Sequence, residues 1–161
     1  CDNTVIFMFE QVLNEVYNKF KMQFYQKVFT RFENREASLT TVETFCVETI
    51  YALGQPTINE FASFAGISPP NAAYKVNSLI KKGYLIKRQS TVDKREYHLE
   101  VTQKFHDYYN ISYHYLEVVA ERVRQRCTPE EIEQFEHMLT VISNELMPEI
   151  PPLCQSRPPV S

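Results

Sequence analysis

Asp93, Lys94 and Arg95 stand side by side in the stretch STVDKREYHLEVT, which runs from Ser90 to Thr102. Lysine and arginine are the side chains that meet anions. Arginine in particular is drawn into the narrow minor groove of a DNA duplex, where the negative potential is deepest. Asp93, two positions before Arg95, can pair with its guanidinium and hold it extended. On either side of this charge the pattern changes. Tyr84, Leu85 and Ile86 precede it, and Tyr97, Leu99 and Val101 follow at every second position. Such runs predict strands over 84–89 and 96–101, joined by the polar tip KRQSTVDKRE. The charged residues therefore sit at the end of a β-hairpin.

Immediately before the hairpin comes SPPNAAYKVNSLIKKG, Ser68 to Gly83. At 100° per residue, Ala73, Val76 and Ile80 fall on one side of a helix, with Ala72 and Leu79 at its edge. Asn71, Tyr74, Lys75, Ser78 and Lys82 fall opposite. The small alanines allow close approach to a neighbouring helix, and the opposite face offers hydrogen-bonding groups suited to base edges in a major groove. A shorter helix over 57–65 precedes it across Gly66-Ile67-Ser68, so the pair reads as a helix-turn-helix. A hairpin directly after such a pair is a wing.

Other chemistries find less support. No nucleophile stands near a base, and neither a phosphate-binding loop nor a carboxylate pair marks a cleft, so no enzyme is expected. His98, His106, His114 and His137 include no i, i+4 ligand pair, and neither metal nor cofactor is expected. The four cysteines, Cys1, Cys46, Cys127 and Cys154, form no C-x-x-C pair. Cys46, between Phe45 and Val47, reads as a buried small hydrophobe. Reduced, widely spaced thiols fit a cytoplasmic protein, and no apolar run is long enough for a bilayer.

The flanking elements follow from capping signals. Thr40 with Glu43, and Thr57 with Glu60, fit capping boxes. Thr128, Pro129 and Glu131 repeat that logic, Ser68 precedes Pro69, and Thr102 can cap a further helix. Helices are expected over 4–33, 40–53, 57–65, 69–82, 102–127 and 129–147. The tail, 148–161, with Pro148, Pro151, Pro152, Pro158 and Pro159, is expected to be irregular. The first helix is apolar around more than one face, through Val12, Leu13, Val16, Tyr17, Phe20, Phe24, Val28, Phe29 and Phe32. One small winged helix cannot bury all of these, which predicts association with a second copy.

Overall the 161-residue chain has a net charge of −3. Charge is unevenly spread, however. From Asn71 to Glu96 there are seven lysines and arginines against two acids, for +5, while the remainder carries −8. A short basic block on an acidic body is a localised footprint for nucleic acid.

These features together resemble the MarR family of bacterial winged-helix regulators. The resemblance lies in LIKKGYL at the end of the second short helix, in DKR as an Asp-x-Arg wing signature, and in LEVT leading into the next helix. It extends over nearly the whole chain. It implies a mostly α fold with a small β-hairpin: a winged helix-turn-helix core, 40–101, flanked by dimerisation helices, 4–33 and 102–147. It also implies a homodimer with interleaved terminal helices, binding pseudo-palindromic double-stranded DNA as a repressor, and a small-molecule effector held between the dimer helices and the winged helix. Residues expected at DNA are Ser68, Asn71, Tyr74, Lys75, Ser78, Lys82, Arg88, Asp93, Lys94 and Arg95. For the effector pocket the sequence offers only the tyrosines Tyr108, Tyr109, Tyr113 and Tyr115. Phe105 stands where the family often has glycine, and Asn71, Ala73 and Tyr74 depart from its usual recognition helix, so no operator sequence carries over. Two alternatives stay open: a winged-helix module that binds protein without specific DNA binding, and a metal- or redox-responsive regulator.

Overall fold

The computed structural model describes residues 2–33 and 39–153. Cys1 and the tail beyond Leu153, with Cys154, Pro158 and Pro159, lie outside the described residues, as do the side chains of Phe32, Tyr108, Tyr109 and Tyr113. In chain order the elements are α1 (Asp2–Glu33), α2 (Thr41–Leu53), α3 (Ile58–Ala65), α4 (Pro69–Lys81), β1 (Leu85–Gln89), β2 (Tyr97–Val101), α5 (Gln103–Arg126) and α6 (Pro129–Glu145). Every predicted element is found, with ends that differ by no more than two residues.

Local chemistry accounts for most of the boundaries. Capping boxes open α2, α3 and α6. In each, the threonine hydroxyl accepts from the N3 amide while the N3 glutamate accepts from the threonine amide, satisfying two of the orphaned donors at a helix start. Ser68 and Thr102 occupy cap positions without making a side-chain cap bond. The Thr102 hydroxyl instead donates to the Gly83 carbonyl at 2.6 Å. Gly54 and Gln55 are both left-handed, with φ of 71° and 59°. This reversal brings Pro56 and Thr57 alongside the hairpin, where Leu99 N–H donates to the Pro56 carbonyl at 2.8 Å and Thr57 bridges to His98. His98 Nδ1 lies 2.9 Å from the Gln55 carbonyl, an acceptor only, so this nitrogen carries the proton.

Within the hairpin, antiparallel pairing runs from Leu85 opposite Val101 to Gln89 opposite Tyr97. Leu85 and Leu99 point into the core; Ile86 and Arg88 are exposed, while His98 and Glu100 are half-buried. The core comprises Leu39, Cys46, Val47, Ile50, Phe61, Ala62, Ala72, Val76, Leu79, Tyr84, Leu85, Leu99 and Phe105. It is thus built by α2, α3, α4, the hairpin and the first turn of α5. Phe105, fully buried, packs its ring 5.1 Å from that of Tyr51.

The buried line of α4 is Ala72, Val76 and Leu79, each at 0% exposure, with Ala73 and Ile80 only half-buried. Relative to the expected Ala73–Val76–Ile80 face, the helix is rolled by roughly 70° at 100° per residue. Position within the helix fixes a wheel; which arc of it is covered depends on how α2 and α3 approach, and of two adjacent alanines they cover Ala72.

Helix α1 packs along α5, with Phe20 and Tyr115 in edge contact at 5.8 Å. Most of its apolar surface is uncovered in the single chain: Phe9, Val12, Leu13, Tyr17 and Phe29 are each more than half exposed. Phe135, Met138 and Leu139 of α6 are similarly open. Phe105→Ala should cost about 3–5 kcal/mol of unfolding free energy, since it deletes a ring from a site with no solvent access. Urea denaturation of the two proteins at one matched concentration measures the difference.

Candidate nucleic-acid interface

With Ala72, Val76 and Leu79 inward, the arc of α4 turned farthest from the core carries Tyr74, Asn77 and Lys81, all exposed. Tyr74 is 75% exposed. Asn71 is exposed on one flank of this arc, and Lys75 is half-buried beside it. Asn77 and Lys81 were not among the residues expected at DNA from the sequence. Recentring the wheel on Ala72 would have found them. Ser68 is exposed at the amino end of α4, where the helix dipole is positive. Pro69 and Pro70 lack N–H groups there, so that end has few backbone donors for an anion.

Ser78 and Lys82 sit differently from the expectation. The Ser78 hydroxyl donates to Glu43 Oε1 at 2.6 Å, and the Lys82 ammonium donates to Glu43 Oε2 at 2.7 Å. Both are half-buried against α2 rather than presented outward. Burial pushes the Glu43 carboxyl up, but bonds from Lys82, Ser78 and Thr40 outweigh it and hold the pKa down to about 2. On the other side of the same helix end, Lys104 Nζ donates to the Lys82 carbonyl at 2.8 Å while lying over the Tyr84 ring.

The wing is organised by its own side chains. The Ser90 hydroxyl accepts from the amides of Val92 and Asp93 at 3.2 and 3.3 Å. Asp93 Oδ1 accepts from the Arg95 backbone amide at 2.9 Å, and Gln89 Nε2 donates to the Lys94 carbonyl at 2.6 Å. Asp93 thus shapes the turn through the backbone of Arg95, not through its guanidinium. Among the described residues no ion pair joins the two side chains. The reason is local: an Asp carboxylate reaches the amide two residues on without ordering a long side chain. Lys94 and Arg95 remain exposed at the tip. Arg88, expected at DNA as well, is ion-paired with Glu100 across the hairpin.

Residues 39–97, from the start of α2 into β2, match the family model described as the MarR family. That segment is a MarR-family domain. It holds α2, α3, α4 and β1 of the winged helix-turn-helix. No curated protein sequence matches the chain. Among solved structures, the chain is similar to the transcriptional regulator Tm0710 from Thermotoga maritima, with a TM-score of 0.61 and 20% identity over 86% of this chain and 96% of that one. It is similar also to a MarR family protein from Bacillus stearothermophilus, with a TM-score of 0.63 and 14% identity over 91% and 98%. A third is FabT of Streptococcus pneumoniae, solved in complex with DNA, with a TM-score of 0.58 and 19% identity over 86% and 95%. At these identities the likeness is one of fold, and it extends beyond the MarR-family segment to the long flanking helices.

Two buried polar atoms have no hydrogen-bond partner, Glu48 Oε1 in α2 and His106 Nδ1 in α5. His106 meets Tyr51 edge to face at 5.6 Å, and Glu48 precedes Tyr51 by one turn of α2. Burial alone raises the Glu48 pKa to about 7. Burial likewise pushes the Cys46 thiol up, only partly offset by Lys75, so Cys46 is held as the unreactive thiol. Among the described residues no group of three or more His, Cys, Asp or Glu is placed to hold a metal ion, and no helix is long and apolar enough to cross a membrane.

The raised pKa of Glu48 has a consequence for stability. The folded chain binds the proton more tightly than the unfolded chain, so stability is complete below the unfolded value of 4.5 and falls as pH rises through about 7. Glu48→Gln, neutral throughout, should be more stable than the wild type by about 3 kcal/mol at pH 8 and no more stable at pH 4.5. Thermal melts at both pH values check this.

Proposed function

We propose that this chain is a cytoplasmic, sequence-specific repressor that binds double-stranded DNA as a homodimer and is released by a small effector. The observation that carries the reading is the pairing of an outward helix face, Asn71, Tyr74 and Asn77, with a hydrogen-bonded hairpin tip that leaves Lys94 and Arg95 exposed. A helix of this kind fits a major groove, whose base edges asparagine reads best at adenine. A basic wing beside it fits the adjacent minor groove or its phosphates. An acidic body repels DNA everywhere else, which favours one binding orientation. Lys75, Lys81 and Ser68 are suited to phosphate contacts around the helix, whereas Arg88, Ser78 and Lys82 have protein partners and belong to the support of the interface.

A second copy is the natural cover for the open apolar faces of α1 and α6. A two-fold dimer would present two α4 helices about one helical turn, roughly 10 bp, apart on a pseudo-palindromic site. The effector reading rests on Glu48 and His106. Two buried, unpartnered polar atoms, one in α2 and one at the start of α5, would be satisfied by a ligand with hydrogen-bonding groups, and a ligand that bridged them would act on the angle between those helices.

Asn71→Ala should weaken binding to the preferred duplex by about 1–3 kcal/mol and relax selectivity at one base position. Arg95→Ala should weaken preferred and random duplexes together and make log Kd less steep in log salt by about one unit. Asp93→Asn keeps an acceptor for the Arg95 amide, so it should preserve preferred-site binding that Asp93→Ala loses. Fluorescence anisotropy over a salt series reads all four proteins. If Arg95→Ala changes neither duplex, the hairpin is not a DNA-contacting wing. Sedimentation velocity should find a dimer at micromolar concentration, and a stable monomer there would remove the dimeric operator from the proposal.

A further inference from the structure

Along α4, Asn71, Lys75, Ser78 and Lys82 form one stripe, at spacings of four, three and four residues. Residues so spaced lie above one another on a helix surface. The stripe is divided in two by its neighbours. At its amino half Asn71 is exposed. At its carboxyl half Ser78 and Lys82 both donate to Glu43, a residue 9% exposed at the start of α2. Oε2 of the same carboxylate also accepts from the Thr40 amide at 2.8 Å. Two donors one turn apart on α4 can reach the two oxygens of one carboxylate at only one roll of that helix. The Thr40 bond fixes the carboxylate in turn to the start of α2.

We propose that Glu43 is a specificity-determining positioning residue: it sets the roll of α4 against α2, and so where Asn71 and Tyr74 point, and it withholds the Lys82 ammonium from DNA. This rests on the DNA-binding reading above. The two effects have opposite signs. Fixing the roll strengthens binding to the preferred sequence, because base contacts depend on direction. Withholding a cation weakens binding to every sequence, because phosphate attraction does not. Glu43 therefore widens the ratio between preferred and random affinity from both ends. A residue that only stabilised the fold would lower both affinities by the one factor set by the folded fraction.

The test uses a duplex selected by the wild-type protein from a random-sequence pool, and a shuffled duplex of the same length and composition. Glu43→Gln keeps the shape and an acceptor for Thr40 or Ser78 but loses the charge. It should lower the ratio of preferred to shuffled affinity by at least about tenfold, weakening the first and tightening the second. Adding Lys82→Gln to that variant removes the released cation, so shuffled affinity should return to the wild-type level while preferred affinity stays weak. Lys82→Gln alone should leave the salt slope of the wild type unchanged, since the ammonium is already neutralised by Glu43.

The inference is overturned if Glu43→Gln changes both affinities by one factor, or if Lys82→Gln alone makes the slope shallower by about one unit, the mark of a direct phosphate contact. It is also overturned if the double variant keeps the tightened shuffled binding. Failure of the underlying reading looks different: the wild-type protein itself would enrich no sequence from the pool.

Discussion

One small apolar core carries this molecule, and every described core residue lies between Leu39 and Phe105. Its centre is the meeting of Ala72, Val76 and Leu79 with Val47, Ile50 and Phe61, where α4 lies against α2 and α3. Close packing of this kind is stiff, because each side chain removed or enlarged by a methylene is felt by its neighbours. That stiffness is what allows an exposed helix face to be held in a defined direction. The hairpin depends on the same core through Leu85 and Leu99, and α5 joins it through Phe105. The interface elements are thus three projections of one interior.

Polar contacts then refine what the core permits. The carboxyl end of α4 is held from α2 by Glu43 and from α5 by Lys104, and the carbonyl of Gly83 is held by Thr102. All three bonds converge within two residues of the point where the chain leaves the helix for the wing. The direction of the wing relative to α4 is set there, at one junction. Farther out, Ser90 and Asp93 do for the hairpin tip what the capping boxes do for the helices: short side chains satisfy nearby amides and spare Lys94 and Arg95 from that task.

The long helices obey a different constraint. No residue of α1 whose side chain is described is fully buried, and α6 has no buried residue. Their apolar faces exceed what one chain covers, while one polar atom each of Glu48 in α2 and His106 in α5 is enclosed without a partner. Surplus apolar surface and unsatisfied polar groups are both costly in water or in the interior. The proposed second copy would relieve the first cost and the proposed ligand the second.

Local signals were enough to read the order of elements and nearly all of their ends. A capping box requires only a threonine and a glutamate three residues apart, and the end of α2 only Gly54, so neither waits on distant contacts; the left-handed Gln55 after it is a residue the hairpin meets through His98. The alternation of Tyr97, Leu99 and Val101 likewise fixed the hairpin. What the sequence could not decide was direction. A helical wheel orders Ala72, Ala73, Tyr74 and Asn77 around an axis but does not say which arc another helix covers, and the covered arc lies one residue away from the expected one. Nor does spacing reveal that Ser78 and Lys82 answer to Glu43, 35 and 39 residues earlier, or that Arg88 answers to Glu100 across a hairpin. In a single sequence a lysine near DNA and a lysine bonded to a buried carboxylate look alike. Only the packing of α4 on α2 separates them, because it alone determines which side chains are within 3 Å of a partner and which are left facing solvent.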